Sequence, residues 1–262
     1  MSHQVDYSQL DQPQILGFVF YPRIDWTPPP PGATDHLVPV ADGISISCRF
    51  YPVNDSAPNI LFFHGNGEVI YDYDGIAPMY NRAGVNLFVA DYRGYGQSGG
   101  RPSFSNTVAD APVILNYLRD TLQGSGYSGP IFVMGRSLGS LSSVELAANN
   151  SQHIAGLIIE SGFASAGRFF RYAPSVFGSV QLEAFEKANL DKLHSITIPV
   201  LIIHGDCDEI IPYEQAEIFF KNAGSKDKKL VTVPGAGHND ILLVGMQQYF
   251  SAVKDFIFSH SG

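Results

Sequence analysis

Cysteine is nearly absent: Cys48 and Cys207 are the only two among 262 residues. That excludes a disulfide-stapled scaffold, and neither cysteine has a partner at zinc-ligand spacing. Basic charge is scarce and scattered, with 16 Lys and Arg against 25 Asp and Glu and a formal net charge of −9. Phosphate binding needs a concentrated cationic face, so nucleic acid is excluded as a partner. No apolar run reaches the roughly 18 residues of a membrane span, and the amino terminus has no basic segment followed by an apolar core. These lacks describe an unprocessed, soluble protein and fit a cytoplasmic location. Charged residues make up only 16% and hydrophobic ones 45%, which excludes disorder and permits a large buried core.

What is present centres on Gly135-Arg136-Ser137-Leu138-Gly139. The apolar run Pro130–Val133 before it has a strand's composition, and Leu138–Ala148 after it reads as a helix. Two glycines bracketing one serine between a strand and a helix give G-x-S-x-G, a turn tight enough to strain the serine and expose its hydroxyl at a helix N-terminus. There the helix dipole and free amides favour an anion, such as the oxyanion of an attacked ester. A short motif also recurs as a plain turn, so partners must come from elsewhere in the chain.

Residues 1–34 read as an irregular arm ending in four consecutive prolines, Pro28 to Pro31. The run serves as a stiff connector before the first strand or as a polyproline motif for an adaptor domain, and the connector is the commoner use. Phe18, Phe20, Tyr21 and Trp26 just before it predict an arm packed down on the domain. Residues 35–262 then read as one domain. Asp42-Gly43 between alternating runs predicts an antiparallel hairpin. From Pro58 the apolar runs Asn59–Phe63, Val85–Ala90, Ile131–Val133, Ile154–Ile159 and Pro199–Ile203 lack alternation, as strands covered on both faces do. Lys229–Val233 reads as a last strand. Helical periodicity marks 105–122 and 242–257. Alternating strand and helix predict an α/β fold: a mostly parallel central sheet with antiparallel N-terminal strands, and helices on both faces. Ligands in such sheets bind beyond the carboxyl ends of the strands.

Polar side chains crowd those ends. His204-Gly205-Asp206-Cys207-Asp208 follows one strand, Gly237-His238-Asn239-Asp240 follows another, and Glu160 closes a third. A serine hydroxyl needs a base, and the base needs a carboxylate to fix its tautomer. His238, in a glycine-rich loop, is the candidate base. Asp208 is the first choice of acid, with Asp206 and Glu160 as alternatives; Asp206 is also suited to bonding the amides of its own turn. Oxyanion donors are expected from the main-chain N–H of Leu138 and from the loop His64-Gly65-Asn66-Gly67, through the Asn66 amide. His64, His204 and His238 have no metal-ligand spacing, and Asp91–Gly100 lacks the Gly-Lys-Ser/Thr ending of a phosphate loop. The segment 162–195 reads as a short cap insertion whose rings Phe163, Phe169, Phe170, Tyr172, Phe177 and Phe185 either line an acyl pocket or pin short helices to the sheet.

Phe63–Gly67, Ala90–Ser98, Gly135–Gly139, His204–Asp208 and Gly237–Asp240, in this order, resemble the successive signatures of the α/β-hydrolase superfamily. The likeness is closest to its small, lid-poor serine hydrolases, which include esterases, protein depalmitoylases and peptidase-like members, and it covers about residues 35–258. The resemblance implies Ser137 as nucleophile, Asp208 as acid, His238 as base and oxyanion amides at Asn66 and Leu138. It further implies hydrolysis of a carboxylic ester or thioester through an acyl-enzyme, without cofactor or metal. A peptidase or amidase using the same residues is the alternative, and a non-catalytic binding module a more distant one. The partner implied is a small-molecule or acylated substrate. Depalmitoylase-like members carry a cysteine-rich N-terminal anchor; no cysteine precedes Cys48 here, so membrane anchoring is not expected. Nothing in the chain sets an oligomeric state.

Overall fold

The structure, a computed structural model, describes residues 5–164, 174–178 and 180–262. Its sheet has eight strands: β1 (Thr34–Ala41), β2 (Ile44–Tyr51), β3 (Asn59–Phe63), β4 (Asn86–Ala90), β5 (Ile131–Arg136), β6 (Gly156–Glu160), β7 (Val200–Gly205) and β8 (Lys228–Val233). They lie in the order β1-β2-β4-β3-β5-β6-β7-β8. β1 pairs with β2 and β2 with β4 antiparallel, while every pairing from β4 to β8 is parallel. The Asp42-Gly43 hairpin forms as expected, with Ala41 opposite Ile44.

Among the described residues the helices are α1 (Pro13–Val19), α2 (Ala77–Arg82), α3 (Phe104–Gly124), α4 (Ser140–Asn149), α5 (Pro174–Phe177), α6 (Leu182–Ser195), α7 (Glu214–Asn222) and α8 (Ile241–Ser259). Successive side chains of a strand point to opposite faces, so a continuous apolar run supplies two cores. Leu61, Phe63, Val133, Leu157 and Ile202 meet Ile15 of α1, Leu118 of α3, Leu146 of α4 and Phe219 of α7 on one face. Ile60, Phe62, Met134, Ile158 and Leu201 meet Tyr80 of α2 and Tyr249, Val253 and Phe256 of α8 on the other.

Two expectations need correction. The arm is not irregular throughout, because residues 13–19 form α1, with Pro13 at its first turn. Of the four aromatic residues just before the prolines only Phe20 is buried, while Phe18, Tyr21 and Trp26 are exposed; the arm also packs down through Val5, Tyr7, Leu10 and Ile15. The final helix is also interrupted, at Gly245 (φ −127°, ψ 29°), where a Cβ would strike Val233 Cγ1 at 2.3 Å. Its expected apolar face therefore splits: Tyr249 to Ile257 pack on the sheet, while Met246 before them is exposed.

Parallel register brings the polar strand ends to one edge. Phe63 pairs with Gly135, Arg136 with Glu160, Glu160 with Ile203 and Gly205 with Val233. The loops beginning at His64, Ser137, Ser161, Asp206 and Pro234 therefore all leave the sheet along one side.

Candidate active site

Backbones pass so close at the end of β5 that side chains are excluded on both sides of Ser137. A Cβ at Gly139 would lie 2.0 Å from Phe63 O, and one at Gly135 would lie 2.3 Å from Gly139 O. Ser137 takes φ 51°, in the left-handed region that a side-chain-bearing residue adopts only when its surroundings impose it. A 3₁₀ turn over Ser137–Gly139 then leads into α4.

His238 arrives from the loop after β8. Its Nε2 stands 3.0 Å from Ser137 Oγ and its Nδ1 2.7 Å from Asp208 Oδ2. Asp208 Oδ1 accepts from the amides of Ile210 at 2.9 Å and Ile211 at 2.7 Å. His204 Nε2 bonds Ile211 O at 2.8 Å and lies 3.3 Å from Asp208 Oδ2. Burial pushes the Asp208 carboxyl up, but hydrogen bonds from His204 and His238 outweigh it and hold the group well below the usual carboxylate range. A charged carboxylate only accepts, so the imidazole hydrogen sits on Nδ1 and the Nε2 lone pair faces the serine hydroxyl.

The alternative acids stand elsewhere. Asp206 Oδ1 accepts from the Gly235 amide at 2.7 Å, bracing a turn. Glu160 accepts from Arg136 Nε at 3.1 Å and from the Tyr249 hydroxyl at 2.7 Å. Burial raises the Glu160 carboxyl above its ordinary range despite Arg136 and Tyr249. His64 and His204 have their own duties. His64 Nε2 faces Asp91 Oδ1 at 3.1 Å and Nδ1 faces Gly65 O at 2.8 Å. Among the described residues no cluster of three or more His, Cys, Asp or Glu is built to hold a metal ion.

Arg136, the residue before Ser137, escaped sequence reasoning. Its guanidinium donates to Glu160, to Glu68, to His238 O at 2.9 Å and to Asn239 Oδ1 at 3.0 Å. One side chain thus ties the ends of β5 and β6 to the loops after β3 and β8. The only available signal was a charged residue closing an apolar strand.

Ser137, Leu138, His238 and Asn66 line one cavity of about 350 Å³. Its other walls are mostly apolar, including Phe104, Phe163 and Ile211, together with Phe18, Val19 and Tyr21 from the arm. Of the insertion's rings, Phe163 reaches this cavity, whereas Phe177 and Phe185 are buried in the core; Phe169, Phe170 and Tyr172 lie outside the described residues.

A family model described as serine aminopeptidase, S33, matches residues 55–188 and 173–242. The chain belongs to this family of the α/β-hydrolase superfamily, and is a hydrolase. Its relatives include protein bem46 of Schizosaccharomyces pombe, 32% identical over 209 residues, covering 78% of this chain and 68% of that protein. Alpha/beta hydrolase domain-containing protein 17B is 34% identical in Homo sapiens and 35% in Xenopus tropicalis. Each match spans 220 residues, 82% of this chain and 72% of the relative. Among solved structures, the Pyrococcus furiosus esterase Pf2001 shares the fold at a TM-score of 0.73 and 19% identity, over 93% of this chain and 100% of that one. Est1E of Butyrivibrio proteoclasticus, solved with ferulic acid bound, does so at 0.69 and 23%, over 86% and 98%. Among the described residues no helix is long and apolar enough to cross a membrane.

Proposed function

We propose that the chain is a serine hydrolase that cleaves carboxylic ester or thioester bonds through an acyl-enzyme, with Ser137 as nucleophile, His238 as base and Asp208 as its orienting acid. The observation that carries this reading is the chain of hydrogen bonds from Ser137 Oγ through His238 to Asp208, at 3.0 and 2.7 Å, opening on an apolar cavity. Ser137 Oγ attacks the carbonyl carbon while His238 Nε2 takes its proton. Negative charge gathers on the carbonyl oxygen, and the main-chain N–H groups of Leu138 and Asn66 receive it, each worth about 10² to 10³ in rate. Asp208 steadies the imidazolium. The tetrahedral intermediate collapses, His238 gives the proton to the departing oxygen or sulfur, and the acyl group remains on Ser137. Water then enters, His238 deprotonates it, and the reverse sequence frees the acid and restores the serine hydroxyl.

The substrate in this reading is a small or acylated molecule, no cofactor takes part, and two unpaired cysteines suit a cytoplasmic setting. A fluorophosphonate should label Ser137 stoichiometrically and abolish turnover of p-nitrophenyl esters; a folded protein showing neither labelling nor turnover defeats the proposal. The description of the matched family favours a peptidase as the second reading. Matched p-nitrophenyl ester and p-nitroanilide substrates separate the two, because an amine leaves only once His238 has protonated it.

A further inference from the structure

The arm touches the active site through one side chain in particular. Asn66 Oδ1 accepts from the Tyr21 amide at 3.0 Å and from the Tyr95 hydroxyl at 2.7 Å, while its Nδ2 donates to the Val19 carbonyl. Next to it, Arg23 Nη1 donates to Gly67 O at 3.1 Å, and Arg23 O accepts from the Gly96 amide at 2.8 Å. The arm is thus fastened to the same loop whose Asn66 amide is the proposed oxyanion donor. Its earlier part is fastened to the insertion: Phe18 meets Phe177 edge-on at 5.9 Å, and Tyr7 meets Phe185 at 5.5 Å. Between these anchorages Phe18, Val19 and Tyr21 line the cavity.

We propose that the arm is the specificity element of this active site: Phe18, Val19 and Tyr21 form the wall against which an uncharged acyl chain packs, and Asn66 couples that wall to the oxyanion amide. The inference rests on the serine-hydrolase reading and names its substrate class. Charge argues for a neutral chain, since Arg136, the cation among the cavity's lining residues, is already matched by Glu68 and Glu160. Size argues for a chain of middle length. A cavity of about 350 Å³ holds roughly a dozen non-hydrogen atoms at about 30 Å³ each, the space a water takes in the liquid. The acyl group of a hexanoyl or octanoyl ester fits that space.

The test is kcat and KM for p-nitrophenyl acetate, butyrate, hexanoate, octanoate and decanoate with the wild type, Phe18→Ala, Phe18→Trp and Tyr95→Phe. Phe18 is 43% exposed, so both of its variants are expected to fold. Phe18→Ala should move the optimum to longer chains and lower kcat/KM on hexanoate about tenfold, with acetate little changed. Phe18→Trp should move the optimum to shorter chains. Tyr95→Phe removes a bond to Asn66 and should lower kcat several-fold on every ester alike, with KM held; a merely structural tyrosine would change the melting temperature and leave kcat alone. Profiles of both Phe18 variants that superimpose on the wild type, with Ser137 still labelled, overturn the wall. An unchanged kcat in Tyr95→Phe overturns the coupling. A wild type that is neither labelled nor active overturns this inference together with the reading beneath it.

Discussion

Asp208 and Glu160 are both buried carboxylates at strand ends of one sheet, yet their surroundings drive them in opposite directions. Asp208 accepts from two main-chain amides and faces two imidazoles, all of which favour its anion. Glu160 has one guanidinium and one phenol, and the guanidinium is shared with Glu68. The first environment makes a fixed negative charge able to orient a histidine. The second makes a strut, in which Arg136 is the centre and the carboxylates are its footings. The residue type at a strand end therefore says little about its role; the donors around it decide.

That contrast can be broken most directly by turnover. Ser137→Ala should cost on the order of 10⁶ in kcat on p-nitrophenyl esters and leave the far-ultraviolet spectrum unchanged. Asp208→Asn should cost about 10⁴, because it permits the wrong histidine tautomer. Glu160→Gln keeps Tyr249 and Arg136 as neighbours and should stay within about tenfold of the wild type. Equal losses in the two carboxylate variants would erase the distinction. Next in size is Arg136→Met, which strands Glu68 and Glu160 in the interior; urea unfolding should show a loss of about 3 to 5 kcal/mol. Its turnover should also fall, since the His238 loop loses the bonds to its carbonyl and to Asn239.

The smallest effect lies in pH and has opposite signs at the two sites. The Asp208 carboxyl is depressed in the folded protein, so its stabilisation is complete above the unfolded value of about 3.9 and is lost as pH falls through the native one. The Glu160 carboxyl is raised, so its contribution is greatest below the unfolded value of about 4.3 and is lost as pH rises through the native one. Relative to the wild type, Asp208→Asn should grow less stable as pH climbs from acid toward neutral, and Glu160→Gln more stable. Thermal unfolding across that range checks both, and slopes of the same sign would contradict the assignment.

Most strands and the serine, histidine and aspartate were legible in the sequence because each rests on local pattern. Apolar runs without alternation mark covered strands, and a bracketed Ser137 followed in chain order by Asp208 and His238 marks the ends that converge. The sequence already put Asp208 ahead of Glu160; the register adds the reason, since Glu160 pairs with Arg136 while His238 lands beside Asp208. Arg136 was invisible because its four partners lie 24 or more residues away. α1 spans seven residues, two turns, too short for a periodic pattern to stand out. The insertion's contribution to the cavity was half legible, since Phe163 does line it, whereas the arm's share was not, because exposed rings such as Phe18 carry no burial pattern and their place depends on where Asn66 catches the arm.

That catch has an evolutionary side. Residues 55–242 fall within the stretch matched by the family model, and the arm lies before it. A lineage could therefore exchange Phe18, Val19 or Tyr21 while its inherited chemistry stayed intact, provided Asn66 still found a carbonyl and an amide to hold. Main-chain groups of Val19 and Tyr21 supply both of those bonds, so the catch itself does not depend on which side chains stand at those two positions. Selection for a new acyl group would then act on a few exposed wall positions such as Tyr21, whose side chain the catch does not use.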